Sequence, residues 1–305
     1  MGKVIVAFSS HRIEALEFMR REMEKHEAIV LEEPANPKFN AMLEGKLDID
    51  KYIDEVYPPF PEFSMRLYRL LIKLNKKGKK ILQIEPYLEI LEKIYKKIDK
   101  EKPDAEELSN DPELGIVYRK ESEVFQSLLK FYESSRNFDD AVKATVEFAK
   151  KDASRIKLRD KMRASEIKKL NFSSIYVEAG YIHFPLANYL RAKRLFLLEK
   201  PTKKLMKMKH ALSPSDILTL RMMHISKPGE KEKLLAARSL IYVSLITKKE
   251  MVPTAISKFP HLEEEARVIK FVNSLDYDEC KKYFNMLTFS KREYVWKMLE
   301  KKGLI

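Results

Sequence analysis

Side chains capable of acid–base or metal chemistry follow four runs of the sequence that have the pattern of buried strands. The runs cover residues 3–8, 28–31, 79–85 and 174–178, and each is short, mainly apolar and bounded by polar residues. In chain order, the groups that end or follow them are His11, Glu32, Glu33, Glu85, Glu178 and His183. The sequence therefore predicts that imidazoles and carboxylates meet wherever these strand ends meet.

Imidazoles and carboxylates that converge on a cleft have two common uses. They can hold a divalent metal ion that activates water, and His11, His183 and Glu32 would then be its ligands. Alternatively, a histidine acts as general base while a carboxylate fixes its tautomer. Both uses indicate hydrolysis, with Glu33 as a further candidate catalytic residue. Helix capping by the same side chains is the competing structural interpretation.

The elements that must position these residues alternate between strand and helix. After the first strand, Ile13, Leu16 and Met19 share one face of a predicted helix, and the second strand follows. This alternation is typical of a parallel sheet. Parallel strands end at one edge, where ligands bind in open α/β sheets. We predict an α/β fold with a mostly parallel or mixed central sheet flanked by helices.

The pattern changes twice further along the chain. From about 104 to 170 it predicts two long helices, the second with Asn137 as its N-cap. After a fifth strand over 194–199, only helices are predicted, over 214–225, 230–247, 262–274, 276–287 and 290–302. Their buried positions are expected to include Ile217, Leu218, Leu220, Leu235, Leu240 and Val243. We predict an α/β core domain over 1–202 with a helical insertion at about 104–170, and an all-helical domain over 203–305.

Composition excludes several classes of site. The chain has 305 residues, of which one is Cys and 7 are Gly. A single Cys rules out a disulfide framework within the chain and a multi-cysteine zinc or iron–sulfur centre, and Cys280 is interpreted as structural. Neither GxGxxG nor GxxxxGK followed by Ser or Thr occurs, which leaves the usual dinucleotide and nucleotide-triphosphate sites without support.

Hydropathy predicts a protein outside the membrane. The apolar run of residues 239–246 is far shorter than the ~18 residues that a membrane helix needs. The N-terminal segment has the pattern of a strand and no cleavage site of a signal peptide. We therefore predict a cytoplasmic protein that is not transmembrane, with a homo-oligomer allowed. Abundant Lys, Arg and Glu are typical of heat-adapted proteins.

Positive charge is concentrated in the last third of the chain. Overall, 59 Lys and Arg face 46 Asp and Glu, a formal net charge of +13. Residues 203–305 alone hold 21 basic and 12 acidic residues. Such a region fits an anionic partner such as nucleic acid or a membrane surface. A solvated Lys-rich helical surface explains the same charges, and both interpretations stay open.

Arg159 is predicted to point into the cleft at the strand ends. It lies three residues after Ile156 and three before Met162 on the apolar face of a predicted helix. A buried guanidinium is costly unless it is paired, so we expect it to meet a carboxylate. The candidates are Glu32, Glu33, Glu85 and Glu178. There its fork would orient a carboxylate or bind an anionic substrate group; an Arg that reaches solvent along the helix is the competing interpretation.

Residues 159–191 resemble a known family signature. Arg159-Asp160-Lys161-Met162 begins the segment, the strand SIYVE follows, and then comes Gly180-Tyr181-Ile182-His183. Together with a first strand that leads to His11 and a second that leads to two glutamates, this ordered set resembles the TraB/Tiki family of the erythromycin-esterase-like and ChaN-like superfamily. The resemblance covers roughly residues 3–200. Phe8 stands where the first motif of that family has Gly.

The resemblance implies a mixed α/β core with its site between the two histidine motifs, including Gly180. Members of the superfamily include metal-dependent proteases, macrolide esterases with a His/Glu-activated water, and haem-binding proteins. Our first hypothesis is a hydrolase of small peptides or esters that uses a divalent metal, with Glu85 and Glu178 supporting the ligands. The alternative, favoured by Phe8, is a non-enzymatic binding protein with a degenerate site, whose basic helical region engages an anionic partner.

Overall fold

A computed structural model describes residues 2–305 and contains one five-stranded parallel sheet. The strands run from β1 (Lys3–Phe8) through β2 (Ala28–Leu31), β3 (Lys80–Gln83) and β4 (Ser174–Ala179) to β5 (Lys193–Phe196). Their order across the sheet is β3-β2-β4-β1-β5, and every pair is parallel. The predicted α/β class is confirmed, and all five predicted strands are present. The third and fifth end earlier than the sequence predicts.

Strand register aligns the candidate residues at one edge. Strand β1 pairs with β4 from Lys3 opposite Ser174 to Phe8 opposite Ala179, and β2 pairs with β4 on its other side. The three central strands are buried almost throughout, as their continuous apolar runs dictate. The segments after β1, β2 and β4 therefore emerge side by side.

Helices cover this sheet and its carboxyl edge. In chain order they are α1 (Leu16–Met23), α2 (Phe39–Leu43), α3 (Ile49–Val56), α4 (Pro61–Lys76), α5 (Pro86–Glu101), α6 (Ala105–Asn110) and α9 (Phe184–Leu190). Short 3-10 turns at 13–15 and 181–183 precede α1 and α9. Asp48 caps α3 by accepting a hydrogen bond from Asp50 N. The short helices α2 and α6 were not predicted, because five or six residues give no clear periodicity.

Phe8 belongs to the core under the site. Its side chain is fully buried, and its ring stacks on Phe184 at 5.8 Å and on Phe196 at 5.1 Å between centroids. The aromatic residue at this position thus packs the elements next to the site together, in a place where glycine would leave a cavity.

The remaining helices contain most of the basic region. They are α7 (Gly115–Ser134), α8 (Phe138–Ile167), α10 (Glu199–Met206), α11 (Pro214–Met222), α12 (Glu230–Leu245), α13 (Pro260–Ser274), α14 (Tyr277–Phe289) and α15 (Arg292–Lys301). The break before α8 and the cap at Asn137 are as predicted, since Asn137 accepts from Asp140 N at 3.1 Å. Residues 203–305 contain no strand. Val243, expected to be buried, is 48% exposed because it lies on the outer face of α12.

The chain divides into two compact units. The first comprises residues 1–118, 157–198 and 250–258, and the second comprises 119–156, 199–249 and 259–305. This division differs from the predicted domains chiefly in placing 119–156 with the C-terminal helices. Among residues 2–305, no helix combines the length and the apolar character needed to cross a membrane.

Candidate functional site

The carboxyl edge of the sheet opens into a cavity of about 610 Å³ within the first unit. The loop after β1 supplies His11, the loop after β2 supplies Glu32 and Glu33, and the end of β4 supplies Glu178. Arg159 reaches the same cavity from α8. The side chains that the sequence predicted at separate strand ends therefore lie around one space.

His183 lies beside this cavity, held on both sides by carboxylates. Its Nδ1 is 2.6 Å from Asp160 Oδ1 and its Nε2 is 2.9 Å from Glu32 Oε1, and the side chain is 3% exposed. Burial lowers the pKa of His183, but the charges of Glu32 and Asp160 outweigh burial and raise it to about 9. His183 is therefore an imidazolium at neutral pH, with each ring nitrogen donating to a carboxylate.

Two arginines on α8 extend this network. Arg159 is 14% exposed and places Nη2 3.3 Å from Glu85 Oε2 and 3.7 Å from Glu32 Oε1. Arg163, one turn later, is fully buried and donates from Nε to the backbone oxygen of Ile84 at 2.9 Å. Burial of Glu32 raises its pKa, yet the charges of His183 and Arg163 outweigh this and hold it well below its usual range. The expected pairing of Arg159 with strand-end carboxylates is present.

The donor set does not fit the metal centre expected from the sequence. A metal-bound histidine must offer a lone pair, whereas Nδ1 of His183 lies 2.6 Å from Asp160 Oδ1 and Nε2 lies 2.9 Å from Glu32 Oε1, so both ring nitrogens already contact carboxylates. Glu32, the second expected ligand, accepts from Gly180 N at 2.8 Å and contacts three cationic side chains. Across residues 2–305, no group of three or more His, Cys, Asp or Glu side chains could hold a metal ion.

His11 has a different environment from His183. Its side chain is 33% exposed, and Nε2 lies 3.6 Å from Oε1 of the buried Glu178. The Phe63 ring from α4 packs against the imidazole at 5.6 Å between centroids. Burial raises the pKa of Glu178, and the charge of His11 opposes that shift. This pair can exchange a proton with a molecule in the cavity, since one imidazole face is open to it.

Glu33 is a second titratable group that faces the cavity. It accepts hydrogen bonds from Tyr68 Oη at 3.1 Å and from Gln83 Nε2 at 2.8 Å. Burial and the nearby charge of Glu178 raise its pKa to about 7, although the hydrogen bond from Gln83 opposes the shift. At neutral pH this carboxyl is close to half protonated, and so can either donate or accept a proton.

Sequence reasoning missed four residues of the site: Asp160, Arg163, Tyr68 and Gln83. Arg163 carried a usable signal, because it lies four residues after Arg159 and a spacing of four shares a helix face. Tyr68 had no signal, since its place depends on how α4 packs over the sheet. Gly180 is present at the site through its N–H to Glu32, but a Cβ there would meet only ordinary contacts at 3.8 Å.

The comparisons with known proteins identify one relative. An uncharacterized protein of Archaeoglobus fulgidus is 34% identical to this chain over 281 residues, which are 92% of this chain and 97% of the relative. The chain belongs to the same family as this archaeal protein. The match includes the helical region as well as the α/β core, because it covers nearly the full length of both proteins. No known family model matches the chain, and no solved structure matches it.

Proposed function

We propose that this protein is a hydrolase in which His11 and Glu178 activate a water molecule for attack on a carboxylic ester or a peptide bond. One observation supports the proposal most. Glu178 Oε1 is buried, has no hydrogen-bond partner among residues 2–305, and lies 3.6 Å from Nε2 of a partly exposed imidazole. Such an oxygen is stabilised when the imidazole gains a proton, as happens when a histidine acts as general base.

The proposed reaction starts with a water next to His11 Nδ1, the nitrogen that does not face Glu178. Nδ1 accepts a proton while the water oxygen bonds to the carbonyl carbon, and Glu178 compensates the new charge on the imidazolium. The carbonyl oxygen becomes negative, and Arg159 at the cavity wall is the cation that we assign to it.

The tetrahedral species then collapses, and the bond from carbon to the leaving group breaks. Protonated Glu33 donates its proton to the leaving oxygen or nitrogen, because a carboxyl with a pKa of about 7 is a suitable acid at neutral pH. The proton on His11 returns through solvent to Glu33. One water is consumed, and a carboxylic acid and an alcohol or amine are released.

The family resemblance supports the same chemistry. The chain resembles the TraB/Tiki family, and in the superfamily to which that family belongs, macrolide esterases use a His/Glu-activated water. The metal-dependent form of the hydrolase receives less support, since His183 and Glu32 are committed to other partners. Phe8, which stands where the family has Gly, does not favour the alternative of a degenerate site, because its ring packs in the core.

The proposal is tested by steady-state hydrolysis of p-nitrophenyl esters and of short chromogenic peptides. We expect the wild type to turn over at least one of these, and His11→Ala to reduce kcat/KM by roughly 10²–10⁴-fold. His224→Ala is the matched control, because His224 is exposed and distant in sequence from the site. Absence of hydrolysis by the wild type, or unchanged kcat/KM in folded His11→Ala, would contradict the proposal.

A binding role for the basic region is the second candidate function. Residues 199–210 expose Lys200, Lys203, Lys204, Lys207 and Lys209 together with the apolar side chains of Leu205 (40% exposed) and Met208 (38%). Lysines interleaved with exposed apolar groups favour contact with an anionic surface. Gel-shift and vesicle sedimentation assays at increasing salt test this role. The binding role would be contradicted if the protein does not bind at low salt, or if its binding does not weaken as the salt concentration rises.

A further inference from the structure

We infer that the cavity takes an uncharged carboxylic ester with an apolar chain, in preference to esters that carry a charged group. This inference rests on the proposed hydrolytic function and names the substrate class of the same site. The inference depends on the ion pairs that the charged side chains of the cavity lining already form, and on the apolar side chains in the rest of that lining.

Charged side chains of the cavity wall are engaged with partners of opposite charge. Arg159 pairs with Glu85 at 3.3 Å, and Glu32 pairs with His183 at 2.9 Å. Glu55 pairs with Lys38 at 2.5 Å and Lys96 pairs with Glu92 at 3.7 Å, but these side chains are exposed and their pairs contribute little. A charged substrate group beside Arg159 or Glu32 would lose its hydration and would have to displace one of the two enclosed pairs, which is unfavourable.

Three further titratable groups of the lining, His11, Glu33 and Glu178, have a different environment. His11 Nε2 lies 3.6 Å from Glu178 Oε1, and these two groups compensate each other's charge when His11 is protonated; Glu33 accepts hydrogen bonds from Tyr68 Oη at 3.1 Å and from Gln83 Nε2 at 2.8 Å. A substrate cation bound to Glu33 would remove the proton that the leaving group needs. A substrate anion near Glu178 would meet a buried carboxylate with no hydrogen bond at Oε1.

One patch of the lining between α3 and α4, extending to part of α5, is apolar, although Glu55, Tyr68 and Lys96 of the same helices also line the cavity. It comprises Val56, Pro58, Pro59, Phe60, Leu67 and Leu88. Two successive prolines have fixed φ angles and no N–H, so this wall offers little hydrogen bonding to a polar chain. The volume of about 610 Å³ is within the range of roughly 300–1,000 Å³ that is typical of small-molecule sites. An alkyl or aryl chain can therefore be removed from water here.

The test compares three p-nitrophenyl esters that share one leaving group: the hexanoate, the anionic monoester of adipic acid and the cationic 6-aminohexanoate. We expect kcat/KM for the hexanoate to exceed that for each charged ester by tenfold or more. Leu88→Lys places an ammonium group in the wall and should raise kcat/KM for the adipate monoester relative to the hexanoate. Ile98→Lys adds the same charge ten residues further along the same helix, at a position that is 40% exposed and does not line the cavity, and should leave the ratio unchanged.

The outcomes separate failure of the inference from failure of the proposed function. Equal kcat/KM for the three esters, or the same change of ratio in both lysine variants, would overturn the inferred substrate class while leaving hydrolysis in place. No turnover of any ester or peptide would overturn the proposed function, and the inference with it.

Discussion

Two histidines follow neighbouring strands of one sheet, and their surroundings differ in every respect that matters for chemistry. His183 is 3% exposed, contacts a carboxylate at each nitrogen and has a pKa of about 9. His11 is 33% exposed and faces one carboxylate across 3.6 Å. The same residue type beside carboxylates is thus enclosed and paired at both nitrogens in one place, and partly open to the cavity in the other.

The contrast between the two histidines arises from the helix that packs over each of them. Helix α8 covers His183 and supplies Asp160, Arg159 and Arg163, so His183 and Glu32 lie among groups of opposite charge with little exposure to solvent. His11 is covered by α4, which supplies the ring of Phe63 and leaves one side of the imidazole open to the cavity. A histidine that follows a strand after glycine or serine is therefore placed at the edge of the sheet by this motif, but the motif does not determine what the histidine does there.

Removal of His183 is the change with the largest expected effect on stability. His183→Ala leaves the carboxylates of Asp160 and Glu32 buried without their imidazolium, and loss of one partner of a buried pair typically costs about 3–5 kcal/mol. We expect the free energy of unfolding in urea to fall by this order. The matched variant His11→Ala should lower it by a smaller amount, because His11 is 33% exposed and contacts one buried carboxylate, at 3.6 Å, where His183 contacts two. Equal losses in both variants would contradict the comparison.

Stability should also depend on pH through His183. Its pKa is raised from 6.5 to about 9 in the folded protein, so its contribution is complete below pH 6.5 and is lost as the pH rises through 9. The difference in unfolding free energy between wild type and His183→Ala should therefore be largest at pH 6 and smaller at pH 9.5. A difference that grows with pH would show that His183 is neutral in the fold.

The sequence predicted the strand ends better than the partners of their side chains. Short apolar runs with β-branched residues located His11, Glu32 and Glu178 at one edge, because parallel strands share that edge. The contact between His183 and Asp160 depends on the rotation of α8 over the sheet, which no local pattern encodes. Phe8 shows the converse case, since a residue interpreted through a family motif has its role in the core.

Glu33 allows a sharper separation between the general acid and the general base. Glu33→Gln keeps the size of the side chain but cannot donate an acidic proton. We expect a decrease of about 10²-fold in kcat for butyl butyrate, whose alkoxide leaving group needs a proton. Little change is expected for p-nitrophenyl butyrate, because p-nitrophenolate leaves without one. Equal decreases for both esters would assign Glu33 to positioning only.

The pH profile of the wild type provides a second measurement on Glu33. In the proposed reaction the protonated form of Glu33 acts, so kcat for butyl butyrate should decline above a pH of about 7, the pKa of Glu33. This decline should be absent for p-nitrophenyl butyrate and in Glu33→Gln. A decline for both esters in the variant would indicate that another group causes it.

Arg159 connects the two histidine environments, and its replacement by lysine should have a smaller effect. Arg159→Lys keeps the charge but loses the fork that contacts Glu85 and Glu32 together. We expect kcat/KM to fall by about tenfold, on the order of 1.4 kcal/mol, mainly in kcat. The control Arg155→Lys alters an arginine that pairs with Asp152 on the same helix. An unchanged kcat in folded Arg159→Lys would remove Arg159 from the reaction.

Chelation of metals should have the smallest effect, and it tests whether His183 is available as a metal ligand. If His183 is an imidazolium held by Asp160 and Glu32, it has no lone pair for a metal, and dialysis against EDTA should leave esterase activity unchanged. Elemental analysis of the same sample should find no stoichiometric zinc or manganese. Loss of activity with EDTA, restored by one metal per chain and abolished in His183→Ala, would mean that His183 and His11 share a ligand. The metal-dependent hydrolase would then replace the His11–Glu178 proposal, because both imidazoles would have to be neutral when the metal is bound.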